Sequence, residues 1–449
     1  MNTRQETVSS VLVDGCPALP ACAHPQAVPA SLHGPQADRS DEVPAGYKQT
    51  EVGVIPSDWS VVQLGNLFVF KNGLNKAKRF FGTGTPIVNY MDVFEHPGLR
   101  INDLPGRVNL IPEEIRNFEV RLGDVFFTRT SETVEEIGVA SVMLEKPCDT
   151  VFSGFVLRAR PRDDRLDDHY KQYCFGSRAI RSQIVSNATY TTRALTNGRS
   201  LSAVCIAVPS KTEQRAIAKA LSDVDRLHAA LEALIDKKQA VKQATMQQLL
   251  TGKFRLPGFS GKWETKRLGD IAYIRNQKVL PSKVPKDTPC VELDHIGQRE
   301  GRLLGYSTAQ YSTSSKYRFY SGDVLFGRLR SYLRKFWLAD RDGICTTEIW
   351  PLVTDTKQAD SGFLYAIIQS DQFIKAASVS YGTHMPRTDW DVLRNFEIWL
   401  PPVREQRAIA GTLSDMDNEI AVLERYRDKI RAINQGMMQQ LLTGRVRLV

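Results

Sequence analysis

The sequence predicts an α+β fold: two similar mixed α/β domains joined by two long antiparallel helices forming a coiled coil, with pseudo-two-fold symmetry. Three observations carry this. EQRAIAKALSDVD from Glu213 returns as EQRAIAGTLSDMD from Glu405, 192 positions later. The apolar residues within each copy step by four and three alternately, as an a/d seam does. Ahead of each copy, short alternating runs are punctuated by Gly, Pro, Asn and Asp, the pattern of strands and turns.

Taken in order, residues 1–45 are rich in Pro and Ala and lack both helical periodicity and the charged start and apolar run of a secretory signal. A disordered N-terminal extension is expected there. Residues 46–208 form the first mixed domain, strand-dominated in stretches such as VRLGDVFFTR, with a helical interval at 166–185. The first long helix lies in 209–254, with the seam Ile217, Leu221, Val224, His228, Leu231 and Ile235. Ser210 stands three residues before Glu213, the spacing of a capping box, and Gly252 is placed to end the helix in the left-handed conformation. A helix of about 38 residues is roughly 57 Å long.

The second domain covers 255–400, with RFYSGDVLFGR as its strand signature and a helical interval at 361–377. The second helix falls in 401–449, with the seam Ile409, Leu413, Met416, Ile420, Leu423, Arg427 and Ile430 and a stop at Gly444. His228 and Arg427 are polar seam interruptions of the kind that selects one partner and one register. MQQLLTGKFRL from Met246 returns as MQQLLTGRVRL from Met438, again 192 apart, so the helices have equal length. Upstream the offset is 204 at Trp59 and Trp263 and 199 at Gly123 and Gly322. Length therefore varies within the domains and is fixed in the helices.

Over 449 residues, 59 Lys and Arg against 50 Asp and Glu leave a net charge of +9, which fits nucleic acid or another acidic partner. Seven scattered cysteines without a C-x-x-C pair read as reduced cytoplasmic thiols, and neither a disulfide framework nor a zinc site is expected. No apolar run is long enough for a bilayer. No phosphate-binding G-x-x-x-x-G-K-[ST], H-E-x-x-H or G-x-S-x-G motif occurs, and LPPV at Leu400–Val403 lacks the aromatic that base methyltransferases place after Pro-Pro. A non-catalytic chain without a metal site is the expectation.

Polar candidates cluster at strand ends. In GRLRSYLRKFW, the cations Arg328, Arg330, Arg334 and Lys335 interleave with Tyr332, Phe336 and Trp337, which suits phosphate contacts and base-edge readout. An edge strand with a solvated charged face explains the same run. At the matching place the first domain offers Thr128, Arg129, Thr130 and Ser131, followed later by Arg193 and Arg199 in YTTRALTNGRS. Thr383, His384 and Arg387 in YGTHMPRTDW are their late counterparts in the second domain. Similar frames with different polar loops would let one chain read two short sequences.

The order YKQTEVGVIPSDW, GDVFFTRTSE, EQRAIAKALSDVD, MQQLLTGKFRLPGF, GDVLFGRLRSYL, GTHMPR, EQRAIAGTLSDMD and a final MQQLLTG resembles the DNA-specificity subunits of Type I restriction-modification systems, from about Tyr47 onward. The resemblance implies two target-recognition domains, each reading half of a bipartite DNA site, with the helix pair setting the spacing. It also implies two methyltransferase subunits that use S-adenosylmethionine and dock along the helices. Two restriction subunits that hydrolyse ATP with magnesium would complete the complex, leaving this chain without a cofactor. With the seam used within the chain, the outer helix faces, the QLLTG ends, Glu213 and Glu405 become the expected docking surface. A coiled-coil scaffold and a stand-alone DNA-modifying enzyme are the alternative readings.

Overall fold

The computed structural model describes residues 43–381 and 386–448, so positions 1–42 of the expected extension lie outside it. The chain divides into two compact units: residues up to Arg226 together with those from Arg431 onward, and Leu227–Ile430. Both boundaries fall inside the long helices, away from the expected edges at 208, 254 and 400. The reason is apolar burial, because each helix contributes its two ends to two different cores. Ile217, Ala218 and Leu221 from the start of one helix join Leu441 and Leu442 from the end of the other around Trp59 and Phe127 in the first unit. Met246 and Leu249 join Ile409 and Leu413 around Phe326 and Phe363 in the second.

Each unit is built on a sheet whose central strand is buried on both faces, which is why its sequence is continuously apolar. In the first unit the strands run in the order Phe68–Asn72, Val156–Pro161, Val125–Thr128, Ala140–Met143, Gly98–Leu99. Val125 and Phe127 point into one core while Phe126 points into another with Phe152, the period of two expected of a strand. The second unit orders Ala272–Ile274, Ile349–Thr354, Val324–Gly327 and Phe336–Leu338. There Val324 and Phe326 face one core and Leu325 the other.

The helical intervals are each split in two. The first becomes Asp168–Cys174 and Arg178–Ser186, separated at Gly176 and Ser177. The second becomes Ser361–Gln369 and Asp371–Ala377, where the Ser370 hydroxyl accepts a hydrogen bond from Phe373 N and starts a new helix.

The long helices run Lys211–Leu250 and Val403–Leu441. Every predicted seam residue is buried or half-buried. Gly252 and Gly444 close the helices at φ 66° and 69°, where an L side chain is strained. Within the second unit Lys238 meets Glu419 at 2.6 Å and Lys242 meets Asp417 at 2.5 Å. Within the first, Asn434 donates to Asp225 at 2.7 Å. Asn434 and Asp225 are the 192-residue counterparts of Lys242 and Asp417, so one position pair links the helices in each unit.

The capping box is only half formed. Ser210 Oγ accepts from Glu213 N at 3.2 Å, but the Glu213 carboxylate does not return to Ser210. It accepts instead from Trp59 Nε1 at 2.9 Å and from the Arg447 guanidinium, whose Nη2 lies at 2.8 Å. In the second unit Glu405 accepts from Trp263 Nε1 at 3.2 Å and from Arg255 at 2.9 and 2.5 Å. Each helix start is thus clasped by the tail that follows the other helix. The neighbouring Gln214 and Gln406 side chains, both buried, tie the same turn to Asp167 and Pro209 and to Asp360 and Pro401. Glu213 and Glu405 are 0% and 1% exposed, which removes them from the expected docking surface. Their repetition reflects a structural plug.

Candidate nucleic-acid interface

In the first unit, strand Val125–Thr128 leads through Arg129 into strand Thr130–Ser131. Thr130–Ser131 pairs with Ala194–Leu195, which pairs with Thr189–Tyr190. Two loops that are 60 residues apart in sequence are thereby brought together, and the backbone of Arg129 is held from both sides. Its N donates to Phe155 O at 3.1 Å, and its O accepts from Thr196 N at 3.0 Å. Arg193 is exposed and stands 3.7 Å from Glu132. Arg199 is exposed on the short helix Gly198–Ser202, whose start is capped by Asn197.

Thr130 is half-buried, whereas Thr128 and Ser131 are buried. The Thr128 hydroxyl accepts from Val139 N at 2.9 Å, and Ser131 Oγ accepts from Thr133 N at 3.2 Å. The sequence expectation places both hydroxyls at a solvent-facing strand end, whereas both are buried and taken up by backbone donors at the strand exit. Alternation alone could not reveal this, because the sheet is covered on both faces.

The second unit repeats the frame. Arg328 N donates to Glu348 O at 2.9 Å, and Thr388 N donates to Arg328 O at 2.9 Å. Arg330 N donates to Pro386 O at 2.9 Å, so Arg328, Arg330 and Arg387 meet beside the hairpin of Ser380–Tyr381 and Arg387–Thr388. Thr383 and His384 lie outside the described residues. Tyr332 is exposed on the turn Ser331–Leu333, flanked by Arg330 and Arg334 at φ 52° and 54°. Two non-glycine residues in the left-handed region are held there by Ser331 Oγ, which donates to Ala377 O at 3.1 Å.

That turn sends the next two cations inward. Arg334 pairs with Asp371 and approaches Gln369 O at 3.4 Å, and Lys335 Nζ donates to Leu293 O at 2.7 Å. Both side chains are thus bonded within the fold, unlike those of Arg328 and Arg330. Arg387 is gripped by Glu348 through bonds of 2.9 to 3.1 Å, and that pairing raises its pKa above the ordinary arginine value. Among the described residues, Arg129, Arg199, Arg328 and Arg330 form no side-chain ion pair or hydrogen bond, and of their donors the Nε of Arg328 is buried. Arg328 has only an aromatic seat, with its guanidinium carbon 5.0 Å from the Trp350 ring centre.

Sequence reading missed Trp350 and the clip residues Thr196 and Thr388. The clip had a signal, since Thr196 and Thr388 are 192 apart like the helix repeats. Trp350 had none, because Leu157 takes its place in the first unit, as register shows: Ile349 faces Gly327 where Val156 faces Thr128. Among the described residues no group of three or more His, Cys, Asp or Glu is placed to hold a metal, and no helix is long and apolar enough to cross a membrane.

A family model described as the Type I restriction modification DNA specificity domain matches residues 56–243 and 260–432. The Type I restriction enzyme MjaVIII specificity subunit of Methanocaldococcus jannaschii is 23% identical over 421 residues, covering 88% of this chain and 94% of that protein. Among solved structures, the S subunit of a Type I system from M. genitalium is similar with a TM-score of 0.53 at 15% identity, covering 85% of this chain and 96% of the other. A chain from a study of complex assembly and conformational transition in the Type I R-M system aligns with a TM-score of 0.51 at 16% identity, covering 87% and 99%.

Proposed function

The chain belongs to the Type I restriction modification DNA specificity family, and from that premise we propose that it recognises a bipartite DNA target, one half with each unit. The observation that carries this reading is the repeated strand exit. Arg129 and Arg328 stand at equivalent places, each with its backbone clipped from two sides and its guanidinium free of acidic partners. Around them the polar side chains differ, which is what two different half-sites require. Arginine held in this way presents two parallel donors to a guanine edge, worth about 1–3 kcal/mol of discrimination. The chain itself is non-catalytic and cytoplasmic in this reading. S-adenosylmethionine, ATP and magnesium act on partner subunits, two of them methyltransferases and two of them restriction subunits.

Mapping methylated adenines in cells with and without the chain tests the assignment, and a bipartite motif must vanish with it. The same map separates the arginines. Arg328→Ala relaxes one position in one half-sequence and Arg129→Ala one position in the other, each costing about 1–3 kcal/mol of binding. Arg334→Ala and Lys335→Ala leave the motif unchanged. A map altered by the inward-facing pair and untouched by the free pair would refute the placement.

The helix pair is the proposed ruler, an antiparallel coiled coil with pseudo-two-fold symmetry. Supporting this are the nearly equal helix lengths of 40 and 39 residues, the covered seam and the counterpart links at Lys242 and Asn434. For partner docking the outer faces replace Glu213 and Glu405. On the first helix Leu227, Leu234 and Val241 are 47%, 38% and 47% exposed at seven-residue spacing. On the second, Tyr426 and Ile433, the counterparts of Leu234 and Val241, are 57% and 42% exposed. Repeated apolar stripes on otherwise charged helices mark a surface that another protein covers. Leu234→Glu combined with Tyr426→Glu should lower co-purified methyltransferase about tenfold or more, since each lost apolar anchor is worth about 1.5–3 kcal/mol. Undiminished recovery would place docking on the units themselves.

A further inference from the structure

We infer that the second unit carries a seat for one unstacked nucleobase, an inference that rests on the DNA-reading function above. A cleft of about 600 Å³ opens beside Arg328, walled by Tyr273, Tyr317 and Trp390 with Asn276 and Asp389 also in its lining. That volume is within the range of small-ligand sites and is too confined for an intact base pair to fill. At its floor lies Trp350, 3% exposed and edge-on to Trp390 at 5.9 Å and 82°. The Arg328 guanidinium lies over this indole, its carbon 5.0 Å from the ring centre, so cation and ring line the same cleft.

The missing partner of Arg328 is the telling feature. Six other arginines among the described residues lie over aromatic rings: Arg255, Arg275, Arg341 and Arg447 each hydrogen-bond a carboxylate, Arg158 donates to Glu119 O, and Arg79 is exposed to water. Arg328 has the ring and no carboxylate, and its Nε is buried without an acceptor. A half-buried arginine placed for stability finds an acceptor for at least part of its guanidinium, and among the described residues Arg328 finds none. A nucleobase in the cleft can offer ring nitrogens and carbonyl oxygens to the free Nη donors while its face meets the aromatic walls.

The first unit lacks the seat. Leu157 stands where Trp350 does, and Gly198, 192 residues before Trp390, leaves that wall without a side chain. A Cβ there would meet Phe70 at 2.9 Å, so the wall cannot be restored by simple substitution. The units therefore share the arginine frame and differ in whether a base can enter. A base in the cleft has left the duplex stack, at an unstacking cost that aromatic and guanidinium stacking offsets.

The test uses the full chain in complex with its methyltransferase subunits and duplexes bearing the mapped target. 2-Aminopurine is placed in turn at each position of the half-site read by the second unit, excluding the methylated adenine, and binding is followed by anisotropy on the same duplexes. One position should brighten about fivefold or more on binding, as an unstacked base does. Trp350→Leu, which installs the residue of the first unit, should abolish the rise and weaken binding about tenfold. Arg328→Lys keeps the charge and the indole but removes the plane, and should abolish the rise as well. An abasic site at that position should bind the parent as tightly as the intact duplex, or tighter. Sequence-specific binding with no brightened position, or a rise that survives both substitutions, overturns the seat. Failure of the parent to bind its target specifically overturns the DNA-reading function instead.

Discussion

Replacing Arg447 with Met should destabilise the first unit by about 3 kcal/mol, at the lower edge of the ~3–5 kcal/mol seen when one partner of a buried ion pair is removed. The cost arises at Glu213, which is 0% exposed and would keep only the Trp59 indole as a donor. The lower edge applies because the Arg447 side chain is itself 29% exposed, so solvent already screens part of the interaction. Chemical denaturation should show the loss in the transition of the first unit, with the second unaffected. Combining Arg447→Met with Glu213→Gln should restore much of the stability, since no unpaired charge is then left buried. Arg255→Met should act on the second unit in the same way. A single-variant midpoint equal to the parent would show that the clasp is dispensable.

The second large effect concerns target spacing. Duplicating the seven residues from Leu221 to Leu227, together with the seven from Leu423 to Lys429 in the other helix, preserves the seam and adds about 10 Å to the pair. At 3.4 Å per base pair this is about three base pairs, so the mapped motif should retain both half-sequences with a spacer longer by about three. Seven residues added to one helix alone should abolish methylation, because Lys238 and Lys242 could no longer meet Glu419 and Asp417 while Asp225 meets Asn434. An unchanged spacer in the active double insertion would show that the helices do not set the distance.

Periodicity made much of this architecture legible in sequence. The a/d steps pick out positions that are all buried or half-buried, the TG dipeptides mark the helix ends, and the doubled strand signatures locate the central strands and their terminal arginines. Contacts decided by chain folding were not legible. The 234 positions separating Glu213 from Arg447 leave no local trace of their pairing, and the spacing of Glu213 to Ser210 fits a capping box as well as it fits the clasp. Arg334 and Lys335 turn inward because left-handed residues on both sides of Ser331–Leu333, at Arg330 and Arg334, reverse the chain, a geometry that arginine does not advertise. Thr128 looked like a surface donor only because a strand covered on both faces has the same composition as one that ends at solvent.

The clasp also imposes an order on biosynthesis. The second unit is one continuous segment, Leu227–Ile430, and is complete before the last residues are made. The first unit begins earlier and finishes later, because it needs Leu441, Leu442 and Arg447. At about 5–20 residues per second, the 234 residues separating Glu213 from Arg447 take roughly 10–50 s to translate. Throughout that interval the nascent first unit holds an open core and a carboxylate without its guanidinium. The domain encoded first is the one that matures last, and a ribosome that stops before Arg447 releases a chain whose earliest-made half is the damaged one.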